Sequence, residues 1–332
     1  MRDLVTGATG FVGPHLVDAL RLRGRAVRCL VRDASRGSRL VQLGAEVVEG
    51  DLCDAAVVAG ALEGVDRVFH LAGGGKVSAM SARGLDVLRA SNVAPVSTLL
   101  RAARGLPLRS VVVFSSISAI GVQVGARLDE ESPCRPVTPH EVVKVEAEEV
   151  AAREHREHGV PVVVLRPSQI YGPGDERSEI PRLVRLAARG MVPLFDGGRG
   201  RVPWVFISDV VDATLLAGEI PRAIGRTYIV SDRDSYVFRD VVRVIAHALG
   251  RRRGGFSVPR GLASAGLRVL EATSRALGRE PPFTRHRLDS LCGDRLLSID
   301  RARAELGYEP KVSLTEGMER AVRWYLERGL VG

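Results

Sequence analysis

Thr6-Gly7-Ala8-Thr9-Gly10-Phe11-Val12-Gly13 follows an apolar run that reads as a strand over Asp3–Thr6 and precedes a stretch that reads as a helix. The three glycines therefore sit at a strand–turn–helix junction, where each has its own physical task. Gly7 permits the tight turn, Gly10 lets the main chain approach a pyrophosphate, and Gly13 lets the helix pack closely on the sheet. A glycine pattern alone is weak, but strand, loop and helix in this order point to a dinucleotide held at a helix N-terminus. Thr6, Gly7, Thr9, Gly10, Phe11, Val12 and Gly13 are the first candidate cofactor-binding residues.

Outward from this junction, short β-branched runs alternate with helical stretches. Strands are expected at Ala26–Val31, Glu46–Glu49, Arg67–Leu71, Ser110–Ser115 and Val160–Arg166, with helices over Gly84–Arg104 and Pro139–His158. That alternation predicts an α/β fold, a Rossmann-type doubly wound parallel sheet. The continuous apolar runs Val111–Phe114 and Val162–Leu165 suit strands buried on both faces. Past Gly172-Pro173-Gly174 the pattern shortens to strands at Trp204–Ile207 and Thr227–Val230, punctuated by Pro193, Pro203, Pro221 and Pro281-Pro282. The expected division is a dinucleotide-binding domain over residues 1–176 and a smaller α/β substrate lobe over 177–332, between which the chain can cross back. Within the lobe Gly261–Leu277 is amphipathic, with Leu262, Leu267, Leu270 and Leu277 among Arg268, Glu271 and Arg275. Those charges favour a groove wall or core helix over a membrane contact.

Composition narrows the function classes. The 332 residues are 45% hydrophobic, enough for a substantial core, and contain no apolar run of the roughly 18 residues a membrane span needs. The first residues already form a strand, so no signal peptide is expected and the protein is placed in the cytoplasm. Cys29, Cys53, Cys134 and Cys292 are scattered with no CxxC pair, which fits neither a metal site nor a disulfide framework. The net charge of +9 rests on 48 basic residues, of which only Lys76, Lys144 and Lys311 are lysines. Arg251-Arg252-Arg253 follows the helix-ending Leu249-Gly250 and reads as a solvated loop, so no nucleic-acid partner is expected.

At the end of the second strand a carboxylate would bind the ribose 2′-hydroxyl of NAD. Val31-Arg32-Asp33 stands there instead. Val31 accepts no hydrogen bond, whereas Arg32 can pair with a 2′-phosphate, supported by Ser35, Arg36 and Arg39. NADP(H) is therefore favoured over NAD(H).

Taken together, these segments resemble the extended short-chain dehydrogenase/reductase superfamily, the NAD-dependent epimerase/dehydratase family, over nearly the whole chain. Thr6–Gly13 matches its TGxxGFxG fingerprint, and Ser298-Ile299-Asp300 with Glu305-Leu306-Gly307-Tyr308 is similar to its C-terminal signature. The resemblance implies that Asp51 and Leu52, in Gly50-Asp51-Leu52, contact adenine. It likewise places Leu71 and Ala72, in Phe69-His70-Leu71-Ala72, beneath the dinucleotide. Asn92-Val93 matches the helix asparagine, and Phe114-Ser115-Ser116 the catalytic-serine strand. Pro167, in Leu165-Arg166-Pro167, and the segment Ile170–Gly174 fall beside the nicotinamide. Ser116 is implied to polarise a carbonyl, although the alignment across Ser115–Ser118 shifts by one or two positions. Members are often dimers through helices like Pro139–His158, so a monomer or homodimer is expected. Gly73-Gly74-Gly75-Lys76 looks like a Walker loop, but Val77 stands where Ser or Thr is needed and position 70 is His.

One departure matters. In the family a tyrosine four residues before a lysine transfers the proton, while the lysine holds the nicotinamide ribose. Here Lys144 is present, but His140 stands four residues before it, and the five tyrosines lie at 171, 228, 236, 308 and 325. Three explanations stay open. His140 can take over proton transfer, although a nearby Lys144 cation would make it a better base than acid. A substrate hydroxyl or water can protonate the alkoxide. The protein can also bind the dinucleotide without redox turnover. Sugar-nucleotide members carry an arginine just before the strand at Trp204, where this chain has Val202-Pro203 with Arg201 shifted and Arg199 nearby. Trp204, Phe195 and Met191 suggest an apolar pocket instead. The expectation is an NAD(P)H-dependent ketoreductase acting on a small-molecule ketone, an aromatic or polycyclic specialised metabolite as in antibiotic biosynthesis. The alternatives are a non-redox epimerase, isomerase or dehydratase, and a catalytically silent dinucleotide-binding regulator.

Overall fold

A computed structural model describes residues 1–74, 82–123, 125–276 and 285–331. Seven strands form the central sheet: β1 (Arg2–Thr6), β2 (Ala26–Val31), β3 (Glu46–Glu49), β4 (Arg67–His70), β5 (Ser110–Phe114), β6 (Val162–Pro167) and β7 (Thr227–Val230). Their order is β7-β6-β5-β4-β1-β2-β3, and every neighbouring pair is parallel. The chain runs outward from β1 to β3 and then resumes on the other side of β1 at β4. That reversal opens a crevice at the carboxyl ends of β1 and β4, where Thr6 stands opposite His70.

Alternating side chains divide between two cores, so both faces of the central strands are largely apolar. Val5, Phe69, Val112 and Val163 pack with α1 (Val12–Leu22) and α4 (Ile207–Glu219) on one side. Leu4, Val68, Val111 and Val113 pack with α2 (Ala82–Ala102) and α3 (Pro139–His158) on the other. The bounds of α3 are written locally. Thr138 caps it, its hydroxyl accepting from the Glu141 N–H at 3.4 Å, while the Glu141 carboxylate accepts from the Thr138 N–H at 3.0 Å. Gly159, in the left-handed region at φ 68°, stops it.

Beyond residue 176 the chain adds two elements to the main sheet, β7 and α4, and builds the second lobe from two-stranded pairs. Gln169–Tyr171 pairs in parallel with Trp204–Phe206, and Val192–Phe195 with Gly255–Val258. Arg201–Val202 runs antiparallel to Tyr236–Val237. Leu296–Leu297 pairs with Arg127–Leu128, tying the C-terminal part to the loop before α3. In the helix Arg260–Ala276, Leu267 is buried while Leu262 and Val269 face solvent. Leu277, Pro281-Pro282 and the Gly75-Lys76 pair lie outside the described residues. Among the described residues no helix is long and apolar enough to cross a membrane.

Candidate active site

The glycine loop is built by close approach. Gly7 has φ +70°, and a Cβ there would lie 2.5 Å from the Ala72 nitrogen; a Cβ on Gly13 would lie 2.2 Å from the Ala8 carbonyl oxygen. Gly10 N–H donates to the Gly7 carbonyl at 2.9 Å and closes the turn. The first turn of α1 carries no acidic residue and no side-chain cap, so its N–H groups and positive dipole end face the loop. Thr9 and Phe11 flank the loop half-buried, and Val12 is buried. A Cβ at Gly7 or Gly13 would collide with the main chain of Ala72 or Ala8, so the glycines keep the loop tight and leave the N-terminus of α1 as a cradle that fits a pyrophosphate.

Around it stand the other expected dinucleotide contacts. Arg32 is exposed directly after β2 and makes no ion pair or hydrogen bond with any described residue. The neighbouring Asp33 carboxylate is turned away into a local turn, accepting from Ser35 N–H at 3.0 Å and Ser35 Oγ at 2.5 Å. Asp51 accepts from Cys53 N–H at 2.8 Å, next to the buried Leu52. Leu71 N–H donates to the Thr6 carbonyl at 3.1 Å, which seats Leu71-Ala72 against Gly7. Pro167 is buried at the end of β6, level with Val230.

Beneath these groups is a buried polar cluster. Thr6 Oγ1 shares a hydrogen bond of 2.8 Å with His70 Nδ1, and His70 Nε2 is buried without a partner. Burial, helped by the Lys144 cation, pushes His70 down to about 3, so its imidazole is neutral. Asn92 Oδ1 accepts from Gly74 N–H at 2.8 Å, and a Cβ on Gly73 would lie 3.3 Å from both Asn92 Oδ1 and Lys144 Nζ. Burial pushes Lys144 down to about 8, against the opposing pull of Glu148. Glu148 in turn holds Arg166 of β6 at 2.6 Å, clamping α3 to the sheet.

At the end of β5 the three serines separate. Ser115 is buried and its hydroxyl has no partner. Ser116 Oγ accepts from Ser118 N–H at 3.2 Å and lies 2.6 Å from Ser118 Oγ. Ser116 and Ser118, not Ser115, face a cavity of about 590 Å³ between the sheet and the second lobe. Its far wall is apolar, with Leu183, Val192, Phe195, Trp204 and Phe238. Met191 departs from expectation: it is 55% exposed and forms no part of the wall, because Val192 is the residue of that strand that turns inward. Neither Arg199 nor Arg201 lines the cavity; the Arg201 guanidinium is spent on the Ser235 carbonyl at 3.1 Å. Arg295 does line it, together with Ser168 and Gln169. Sequence reasoning missed Arg295 because nothing local distinguishes it among so many arginines.

His140 is the second residue of α3, half-buried and one turn before Lys144. Burial, then Lys144, holds its imidazole below the ordinary range, with Glu141 opposing. It is not on the cavity wall. No tyrosine among the described residues lines the cavity either. Tyr171 stacks its ring beside Trp204 at 5.6 Å, but its hydroxyl points at Gly317, where a Cβ would meet it at 2.6 Å.

Residues 4–231 match the NAD dependent epimerase/dehydratase family. The chain belongs to this family. It is 32% identical over 340 residues to sterol demethylase protein B of Methylococcus capsulatus, with all of both chains covered. It is 31% identical to 2-alkyl-3-oxoalkanoate reductase of Stenotrophomonas maltophilia, over 96% of this chain and 98% of that protein. Among solved structures, that of gox2253 superposes with a TM-score of 0.85 at 28% identity, covering 99% of each chain. The chain is therefore an enzyme of a nicotinamide-dinucleotide-dependent family, and the cradle around Gly7 is where its residues fit that group.

Proposed function

We propose that the protein is an NADPH-dependent ketoreductase of the cytoplasm, acting as a monomer or homodimer on an aromatic or polycyclic ketone of specialised metabolism. The observation that carries this reading is the cavity, which sets the Ser116 and Ser118 hydroxyls in one space with the apolar side chains of Leu183, Val192, Phe195, Trp204 and Phe238. The reductase relative of Stenotrophomonas maltophilia supports the same reaction type. For the dinucleotide, the exposed Arg32 beside a preoccupied Asp33 supports the 2′-phosphorylated form.

When bound, the reduced nicotinamide supplies the hydride. Gly7, Gly10 and Gly13 would hold its pyrophosphate, and Lys144 Nζ would be the donor for its nicotinamide ribose. Ser116 accepts from Ser118 N–H, which leaves its own proton to polarise the substrate carbonyl. His140 occupies the place of the family's tyrosine, but as a neutral imidazole off the cavity wall it is a poor proton donor. The alkoxide then takes its proton from an adjacent substrate hydroxyl or from water.

Ketone-dependent oxidation of NADPH by the purified protein tests this reading. Tight NADPH binding with no turnover across a panel of aromatic ketones would replace it with a silent regulator. Substrate interconversion without net cofactor consumption would replace it with an epimerase.

A further inference from the structure

We propose that His15 is a positioning residue that ties the dinucleotide cradle to the substrate cavity, so that filling the cradle orders the cavity walls. This rests on the ketoreductase reading for the use of the cavity, but on separate contacts for the tie. His15 is the fourth residue of α1, the helix whose N-terminus forms the cradle. Its ring meets that of Phe11, in the glycine loop, edge to face with centroids 6.1 Å apart. Its Nε2 lies 2.9 Å from the carbonyl oxygen of Pro173, 158 residues further along the chain. A carbonyl only accepts, so Nε2 carries the proton and donates. Burial holds the imidazole below its ordinary range despite the Pro173 bond, so the ring is neutral. What it adds beside the cradle is a directed bond rather than a charge.

Pro173 belongs to a strap, residues 172–175, that joins two walls of the cavity. Upstream, Ser168 and Gln169 line the cavity, and Gln169–Tyr171 pairs with Trp204–Phe206. Downstream, the buried Asp175 accepts from the Ser178 N–H at 3.0 Å and from the Ser178 hydroxyl. Ser178 in turn caps the helix Glu179–Ala188, accepting from the Ile180 N–H at 3.0 Å. Leu183 and Leu186 of that helix line the cavity. The strap is close-packed at both of its glycines. Gly172 has φ +146°, and a Cβ there would lie 2.5 Å from Ile207 Cγ2 at the start of α4. Gly174 has φ +95°, and a Cβ there would lie 3.1 Å from His15 Nε2.

One chain of contacts therefore runs from the glycine loop through Phe11, His15 and Pro173 to the strand and the helix that wall the cavity. Groups packed this closely pass on a displacement rather than absorb it. An ordered glycine loop fixes His15, and His15 fixes the strap. Misplacing a hydride donor and a carbonyl by about 1 Å costs about 100-fold in rate, so the tie bears on the reaction as well as on the fold.

The test is amide hydrogen exchange on the full chain, free and saturated with oxidised NADP or with NAD, whose shared pyrophosphate fills the same cradle. In the wild type the cofactor should slow exchange about 10-fold in peptides covering residues 176–188, as a typical coupling between two sites does. His15→Phe should lose that protection while the glycine-loop peptides keep theirs, and its kcat should fall about 10- to 100-fold with the KM for NADPH within about threefold. His15→Gln, which keeps a donor at similar reach, should restore most of both. A wild-type helix indifferent to cofactor would overturn the proposal. So would a His15→Phe protein that keeps the protection. If His15→Phe does not fold, His15→Asn and His15→Gln decide the matter: the shorter amide should lose the protection and the longer keep it, and equal protection would overturn the tie. Protection that follows His15 without turnover of any ketone would leave the tie standing and remove the ketoreductase reading. Turnover and protection both unchanged in His15→Phe would do the reverse.

Discussion

Arg32 and Asp33 are adjacent, yet only one is available to a ligand. The Asp33 carboxylate is committed to Ser35, whereas the Arg32 guanidinium stands in solvent at the end of β2. Arg32→Asp should therefore shift the NADPH-to-NADH ratio of kcat/KM toward NADH by about 10- to 100-fold, the worth of a charged phosphate contact. Steady-state kinetics with both cofactors checks this, and an unchanged ratio would remove the role given to Arg32. Ser116 and His140 are separated in the same way. Ser116→Ala should lower kcat about 100- to 1,000-fold, as loss of an oxyanion donor does. His140→Phe should retain turnover, because the neutral imidazole is not on the cavity wall. An inactive but folded and NADPH-binding His140→Phe protein would restore the histidine as the acid.

Elements set the environment that these residues feel. The helix α3 carries both His140 and Lys144, and its start depends on the reciprocal Thr138–Glu141 cap. Thr138→Ala should cost about 1 kcal/mol of stability, measurable by urea unfolding, with a matching loss of affinity for the dinucleotide as Lys144 loosens. At the ends of β1 and β4, the Thr6–His70 pair makes stability depend on pH. His70 has a folded value of about 3 against 6.5 for the free group, so the unfolded chain binds more protons between these values. Its contribution is fully present above about pH 6.5 and is lost as pH falls toward 3. Lys144 has the same sign in a higher window, stability rising from about pH 8 to 10.5. Melting temperature against pH should thus fall less steeply on the acid side for His70→Gln than for the wild type. Parallel acid limbs would mean that His70 is not the group responsible.

At the scale of the molecule, the chain leaves the main sheet after β6, builds the second lobe, and returns to close the sheet edge with β7. The 296–297 and 127–128 strands add a second tie. With two crossings, the cradle and the cavity should unfold together. NADP at about 100 times its Kd should stabilise the whole by about 2.7 kcal/mol and raise one calorimetric transition by a few degrees. Two transitions, with only one moved by NADP, would mean that residues 1–176 and 177–332 unfold independently.

Much of this was written locally. The Thr6–Gly13 junction, the seven sheet strands to within two residues, and the full extent of α3 from Thr138 to Gly159 follow from side-chain periodicity and capping chemistry. These act over a few neighbouring residues and need no tertiary contact to be legible. The absence of a tyrosine before Lys144 was legible in the same way. The site was decided elsewhere. Which of Ser115, Ser116 and Ser118 faces the cavity depends on how β5 ends against β6. That Val192 rather than Met191 turns inward depends on pairing with Gly255–Val258. Arg295 lines the same cavity as Ser116 on a stretch whose next two residues, Leu296–Leu297, pair with a segment far away in the chain. Such contacts come from strand pairing between distant residues, where a shift of one position turns every side chain to the other face. No local pattern records that choice, so the cradle could be read from the chain while the substrate cavity could not.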